Sequence, residues 1–144
     1  MLKLPLHFEV NAETKKGILT SWQCTAGSHT PISCSVPPEF QGSGEGYSPE
    51  DFFGFAILNC IIATFKVYCE KGNLHFDILS GKAKVVMGKD PSEKCLCITD
   101  VDITIDIKGA SDVERVKKTL DQAIKDCAIS NSIKSGKTFH LTVN

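Results

Sequence analysis

The chain has 144 residues, of which 42% are hydrophobic and 23% are charged, and its mean hydropathy is -0.03. Length and composition exclude a disordered polar tail and predict one compact domain over residues 1–144, with a core that needs no disulfide bonds. Basic residues number 16 and acidic residues 17, so the net charge of -1 gives no electrostatic reason to expect nucleic acid or an anionic membrane as a partner. Arg115 is the only arginine.

The sequence predicts a cytoplasmic protein. Residues 1–10 form too short an apolar stretch for a signal peptide, and Pro5, His7 and Glu9 interrupt it. The longest apolar run, residues 52–65, falls short of the roughly 18 residues that a membrane span needs, so it indicates a buried helix.

The first third of the chain predicts a β-meander. Short β-rich runs at residues 4–10, 18–24 and 31–36 are separated by turn residues. The glycine-rich segment 36–47 has no lysine of the phosphate-binding-loop kind after it, so we interpret it as a flexible connection.

A helix with clear end signals follows the meander. Ser48 suits the N-cap, Pro49 suits the first helical position, and acidic residues follow in the first turn. The helix is expected to run to about Glu70 and to stop at Gly72. Because residues 52–65 are apolar on every face, the pattern predicts a central buried helix.

The remaining elements complete an α+β order. Residues 74–87 predict one long strand or two, with a bend at 80–81, and residues 95–107 alternate as a half-buried strand. A capping box at 111–114 predicts the start of an amphipathic second long helix, and residues 137–143 predict a last strand. The order β-β-β-α-β-β-α-β is typical of α+β rather than alternating α/β proteins.

Seven cysteines, an odd number, argue against a structural disulfide framework. Cys95 and Cys97 are in phase with the apolar side chains of their strand, which predicts core positions. Cys24, His29 and Cys34 are spaced by five and five, but the chain has no C-x-x-C pair, so neither a metal nor a cofactor is expected.

Cys60 and Cys127 lie on the apolar faces of the two long helices. Both are consistent with inert core residues. They are equally consistent with a reversible disulfide, provided that their Cα atoms lie within about 7 Å of each other. Helical periodicity alone leaves both interpretations open.

Two motifs resemble those of a known family. Residues 48–53, Ser-Pro-Glu-Asp-Phe-Phe, with Cys60 ten positions after Glu50, resemble the central-helix motif of the OsmC/Ohr family of osmotically inducible and organic hydroperoxide resistance proteins. Residues 126–133, Asp-Cys-Ala-Ile-Ser-Asn-Ser-Ile, resemble its second cysteine motif. The resemblance implies an OsmC-like fold with an N-terminal β-meander, a long buried central helix, further strands and a second long helix, in an intertwined homodimer.

The resemblance also implies a thiol peroxidase that reduces organic hydroperoxides. Cys60 would attack the peroxide and form a sulfenic acid, and Cys127 would resolve it as a disulfide. Glu50 would help to hold the activating group. A dithiol, in much of the family a lipoylated protein, would reduce the disulfide. The other five cysteines are expected to be dispensable for this turnover.

The sequence departs from the family pattern in its missing arginine. The peroxidases of the family pair an N-terminal arginine with the motif glutamate, whereas no arginine precedes Arg115 here. An unperturbed thiol with a pKa of about 8.5 is only about 3% thiolate at pH 7, so a cation is needed. Lys15 and Lys16 are the nearest replacements by position, although lysine lacks the flat bidentate fork of arginine.

Two other functions stay open. A protein that kept the fold and the thiols but lost efficient turnover would bind a small apolar ligand, and a cysteine-rich protein could bind a metal. Within the peroxidase hypothesis, ten helical residues separate Glu50 from Cys60 by about 15 Å, so the Glu50 that serves a given Cys60 is expected to come from the partner subunit.

Overall fold

Two sheets of three strands each carry the β-structure of the described residues. The structure is a computed structural model and describes residues 3–92 and 94–144. The chain divides into two compact units, Met1–Phe52 and Phe53–Asn144.

The sheet of the first unit is an antiparallel meander. Its strands are β1 (Asn11–Glu13), β2 (Trp22–Thr25) and β3 (Ile32–Cys34), in the order β1-β2-β3. The predicted meander is therefore confirmed, with strands shorter than the sequence suggested.

The first predicted strand is misplaced. Within residues 3–10 the structure has no strand, and β1 begins only at Asn11. The alternating apolar side chains of this segment point into solvent; they are Leu4, Leu6, Phe8 and Val10. Alternation alone does not make a strand, because the backbone also needs a neighbouring strand to pair with.

The glycine-rich segment is closely packed rather than a flexible connection. Tyr47 donates a backbone hydrogen bond of 2.9 Å to Ser33 and accepts one of 3.1 Å from Ser35. A Cβ at Gly46 would lie 2.7 Å from the backbone of the same strand, and one at Gly42 would clash with a backbone carbonyl. The glycines therefore permit close backbone approach, and no phosphate is needed to explain them.

The long helix α1 (Pro49–Gly72) begins as the sequence predicts. Its N-terminus has a reciprocal capping box, because the Ser48 N–H donates to Asp51 Oδ2 at 2.8 Å and the Asp51 N–H donates to Ser48 Oγ at 3.1 Å. At the other end the left-handed residue is Asn73, with a φ of 49°, directly after the predicted stop at Gly72.

The sheet of the second unit joins β4 (Ile78–Lys89), β5 (Leu96–Lys108) and β6 (Gly136–Val143) in that order. β4 is antiparallel to β5, and β6 is parallel to β5. The expected bend or bulge at 80–81 does not interrupt β4, whose pairing with β5 keeps its register there. A Cβ at Gly81 would lie 2.7 Å from Leu58 Cδ1, so this glycine admits a close helix–sheet contact.

A β-bulge corrects the prediction for two cysteines. The register between β4 and β5 shifts at Thr99, and Ile98 rather than Thr99 packs on the core. The shift reverses the side-chain phase of the residues before it. Cys97 is therefore only half-buried and Cys95 is exposed, not in the core.

Two further helices, α2 (Val113–Lys125) and α3 (Ala128–Asn131), precede β6. The cap of α2 differs from the predicted box at 111–114. Asp112 is the N-cap, and its carboxylate accepts a hydrogen bond of 3.0 Å from the Arg115 N–H. Ser111 Oγ instead accepts a hydrogen bond from a backbone N–H outside the helix.

The core of the second unit lies between α1, β5 and α2. One stripe of α1 is buried, and so are the alternating side chains of β5; they are Gly54, Ile57, Ile61, Phe65 and Cys69 on α1, and Val101, Ile103, Ile105 and Ile107 on β5. The four predicted core positions of β5 are confirmed.

α1 packs on the core through one stripe, and some of its other apolar side chains are exposed. Phe55 is 44% exposed and Val67 is 49% exposed. By length and composition α1 is also the one helix in the described ranges that is apolar enough to cross a membrane, with 28% of its most apolar window buried. Within the second unit, α1 therefore has an apolar face that is partly exposed.

Replacing Ile103 with alanine should lower the free energy of unfolding by about 2–5 kcal/mol, because Ile103 is fully buried at the centre of the core. Thr104→Ala, the adjacent residue on the exposed face of β5, should change it by no more than about 0.5 kcal/mol. Urea denaturation at one fixed protein concentration measures both. Equal losses in the two variants would contradict the assignment of the core face.

Candidate functional site

The structure brings the thiols of Cys60 and Cys127 together. Cys60 is half-buried on α1, and Cys127 is fully buried as the N-cap of α3. The side chains of Cys60 and Cys127 lie within hydrogen-bonding reach of each other. Proximity of the two thiols is what a reversible disulfide requires.

The environment of Cys127 favours its protonated form. Burial, together with the neighbouring Cys60 side chain, raises the pKa of this thiol from 9.0 to about 11. The backbone N–H groups of Ile129 and Ser130 act in the opposite direction, the latter at 3.3 Å from the sulfur. Cys127 is therefore a thiol, not a thiolate, at neutral pH.

A polar brace holds the end of α2 next to Cys127. The Tyr68 hydroxyl on α1 donates to Asp126 Oδ2 at 2.6 Å, and Gln122 Nε2 donates to the same oxygen at 2.9 Å. These bonds lower the pKa of Asp126, and the bond to Asp126 raises the pKa of Tyr68. Because Asp126 precedes Cys127, the brace fixes the chain that presents the buried thiol. The sequence gives no periodic signal for this contact.

The other predicted site residues lie in the first unit, whereas Cys60 and Cys127 lie in the second. Glu50 is in the first turn of α1. Its Oε2 atom is buried and has no hydrogen-bond partner among residues 3–92 and 94–144. A buried carboxylate oxygen without a donor is costly, so its environment in the chain is incomplete.

Lys15 and Lys16 are exposed and follow β1. Lys15 also lines a cavity of about 580 Å³ formed by residues of β1, β2 and the segment between them. No cysteine lines this cavity. This cavity is therefore not the site of the Cys60 and Cys127 thiols.

Arg115, the sole arginine, has a structural role. Its guanidinium donates a hydrogen bond of 3.1 Å to the carbonyl of Gly72, at the C-terminal end of α1. A cation suits that end of a helix. Gly72 is twelve residues beyond Cys60, or about 18 Å along the helix axis. Arg115 therefore does not serve the Cys60 of its own chain.

The described residues give no support to the metal-binding hypothesis. In the described part of the chain, no group of three or more His, Cys, Asp or Glu side chains is placed to hold a metal ion. Cys24 and Cys34 do meet, with their Sγ atoms 3.1 Å apart, but His29 does not join them as a third ligand. The contact between the two sulfurs depends on the register of β2 and β3, which the spacing of the cysteines along the chain does not give.

Comparison with known proteins identifies relatives by family and fold. The OsmC-like protein family matches residues 42–142, well over half of the chain. No curated protein matches the sequence.

Solved structures match over almost the full length of the chain. An OsmC-like protein of unknown function from Vibrio cholerae has a TM-score of 0.82 and 16% identity over 95% of this chain and 99% of its own. An organic hydroperoxide resistance protein OsmC from Legionella pneumophila has a TM-score of 0.73 and 18% identity, over 97% and 98%. The organic hydroperoxide resistance protein OhrB of Bacillus subtilis has a TM-score of 0.70 and 19% identity, over 94% and 98%.

The raised pKa of Cys127 predicts its reactivity. Since the thiolate is the nucleophile, alkylation of Cys127 by iodoacetamide should stay slow at pH 9 and rise steeply towards pH 11. Quantitative peptide mapping measures the rate, and circular dichroism at each pH verifies the fold. Cys60→Ala removes the neighbouring sulfur but leaves Cys127 buried. The rise in the alkylation rate of Cys127 should therefore move to lower pH and still lie above pH 9. A rate that is already maximal at pH 9 in the unmodified chain would contradict this account.

Proposed function

This chain belongs to the OsmC-like protein family, and from that premise we propose that it is a thiol peroxidase that reduces organic hydroperoxides. The observation that carries the proposal is the contact between the half-buried Cys60 and the buried Cys127. Relatives of the same fold are named organic hydroperoxide resistance proteins, which supports this substrate class.

The proposed cycle uses the two thiols in turn. The Cys60 thiolate attacks the terminal oxygen of the hydroperoxide, the O–O bond breaks, and the alkoxide leaves with a proton as an alcohol. The Cys127 sulfur then attacks the sulfenic acid on Cys60, and water leaves as the disulfide forms. A dithiol, in this proposal a lipoylated protein, exchanges with that disulfide and restores both thiols.

The geometry supports this division of roles. Cys60 is the more exposed thiol, so a peroxide reaches it first. Cys127 is held as a thiol at neutral pH by its burial, next to the Cys60 side chain. It is therefore already next to the sulfur that it must later attack, so resolution needs no large movement.

A homodimer would complete the site. The exposed face of α1 and the exposed alternating side chains of residues 4–10 are apolar surfaces that the single chain leaves uncovered. Apolar side chains alternate along residues 4–10 as they do in a β-strand, but this segment is not paired with another strand among the described residues. We propose that a second copy covers these surfaces in an intertwined dimer, and that the buried Glu50 oxygen finds its donor there.

The activating cation is the remaining requirement. Because Arg115 is bound at the far end of α1, the proposal assigns the task to Lys16 or Lys15, paired with Glu50 in a site built from two chains. A lysine gives a point charge without the bidentate fork of arginine, so we expect slower turnover than an arginine would give. The proposal needs no metal, no other cofactor and no membrane, and places the protein in the cytoplasm.

A second candidate is a protein that binds a small apolar ligand next to Cys60 and turns over little or not at all. The engagement of the sole arginine at Gly72 favours it, because it leaves the thiolate without the strongest activator. The two candidates differ in whether Cys60 consumes peroxide.

A consumption assay with cumene hydroperoxide and a lipoamide reducing system tests the proposal. Cys60→Ser should lower consumption to the uncatalysed rate, because the nucleophile is lost. Cys127→Ser should allow one oxidation of Cys60 per chain and then stop. The matched control is Cys69→Ser, another buried cysteine on α1, which should keep full turnover. Ligand binding without any Cys60-dependent consumption would favour the second candidate.

Mixed dimers test the shared site. One chain carries Cys60→Ser and the other carries Glu50→Ala, and each is expected to be inactive alone. If Cys60 works with the partner's Glu50, the mixed dimer has one intact site, so co-expression should restore about half of the activity per mixed dimer. Size-exclusion chromatography confirms that the dimer forms. Activity that stays absent in a verified mixed dimer would refute the shared site.

A further inference from the structure

A second pair of thiols lies in the sheet of the first unit. In the antiparallel pairing of β2 with β3, Cys24 is opposite Ile32 and Cys34 is opposite Trp22. The two cysteines are therefore diagonal neighbours whose side chains share one face of the sheet. The Cys34 thiol donates a hydrogen bond to Cys24, with 3.1 Å between the sulfur atoms.

The surroundings hold Cys34 in place. It forms a parallel bridge with Tyr47, and the backbone of Gly46 packs against it so closely that a Cβ there would lie 2.7 Å from the Cys34 nitrogen. Cys34 is only 1% exposed, whereas Cys24 is half-buried. One thiol is thus open to a small reagent, and the other is fixed behind it.

We propose that Cys24 and Cys34 form a second dithiol–disulfide couple, which exchanges electrons with low-molecular-weight disulfides. The inference does not rest on the peroxidase proposal, because neither Cys60 nor Cys127 takes part. It gives a function to two of the cysteines that the peroxidase mechanism leaves unused.

The exchange balances as two displacement steps. The Cys24 thiolate attacks one sulfur of the small disulfide, forms a mixed disulfide and expels one thiolate. Cys34 then loses its proton, attacks the Cys24 sulfur and expels the second thiolate, which leaves the intramolecular disulfide. The protein loses two hydrogens and two electrons, and the small disulfide becomes two thiols.

The arrangement fixes the order of the two steps. Burial, with the hydrogen bond to Cys24, raises the pKa of Cys34 to about 11, so Cys34 is not the first nucleophile. Closing the bond requires the sulfurs to approach from 3.1 Å to about 2.05 Å, a movement of roughly 1 Å.

The chain contains a reporter for this reaction. Trp22 is the only tryptophan, and it is the residue directly opposite Cys34 in the register. A disulfide quenches a neighbouring indole, so formation of the bond should lower tryptophan emission. Cys95 and Cys97 lie outside the sheet of β1, β2 and β3 that contains Trp22.

The test uses the full chain carrying Cys60→Ser and Cys127→Ser, treated with oxidised glutathione. In the mapped peptides we expect a Cys24–Cys34 cross-link with the loss of two hydrogens, no lasting glutathione adduct on either residue, and complete loss of iodoacetamide labelling at both. Trp22 emission should fall and should return on reduction with dithiothreitol. Cys69→Ser in the same background is the control and should change none of these readouts.

Two variants separate the steps. With Cys34→Ser the reaction should stop at a stable glutathione adduct on Cys24. With Cys24→Ser no adduct should form on Cys34, and this variant serves if the first does not fold. A lasting adduct on Cys24 while Cys34 remains free, full labelling of both thiols after treatment, or a cross-link to another cysteine would each overturn the proposal. Because the peroxidase cysteines are absent, failure here leaves the peroxidase proposal untouched.

Discussion

The contact between the buried Cys127 thiol and the Cys60 sulfur is the interaction on which the rest of the site depends. It exists because α1 packs one stripe of side chains on β5 while α2 ends beside it, and because the hydrogen bond from Tyr68 to Asp126 ties these helices together just before Cys127. Packing at the centre of the second unit therefore sets the distance between two sulfurs that are far apart in the sequence. Both inertness and redox chemistry were open for these cysteines on periodicity alone, and their contact favours the chemistry.

Charge is the second constraint. Burial keeps Cys127 protonated, so the pair contains one hydrogen-bond donor and one sulfur able to accept it. The chain supplies no arginine to this pair, since Arg115 is bound to the carbonyl of Gly72. Two features of the described residues lack contacts that would stabilise them. One is polar, the buried Glu50 oxygen without a hydrogen-bond donor, and the other is apolar, the exposed face of α1. A second copy would relieve both, which is why the proposed function and the proposed dimer are linked.

The features that the sequence predicts well are those that depend only on residues close together along the chain. The caps of α1 need only Ser48 and Asp51, and the core face of β5 needs only strict alternation from Val101 onwards. The failures need information from elsewhere in the fold. The bulge at Thr99 moves Cys95 and Cys97 off the core face, and residues 4–10 lack a partner strand. The Cys24–Cys34 contact depends on a register that spacing alone does not give.

The central claim is that Cys60 and Cys127 form one redox unit, and a single-turnover experiment tests it most directly. The reduced protein receives one equivalent of cumene hydroperoxide per chain, without a reductant, and is quenched with acid and mapped by mass spectrometry. The account predicts one Cys60–Cys127 disulfide and one equivalent of cumyl alcohol per chain, with a sulfenic acid on Cys60 preceding the disulfide. Unchanged Cys60 and Cys127 thiols after the peroxide has been consumed, or a first oxidation at Cys127, would contradict it.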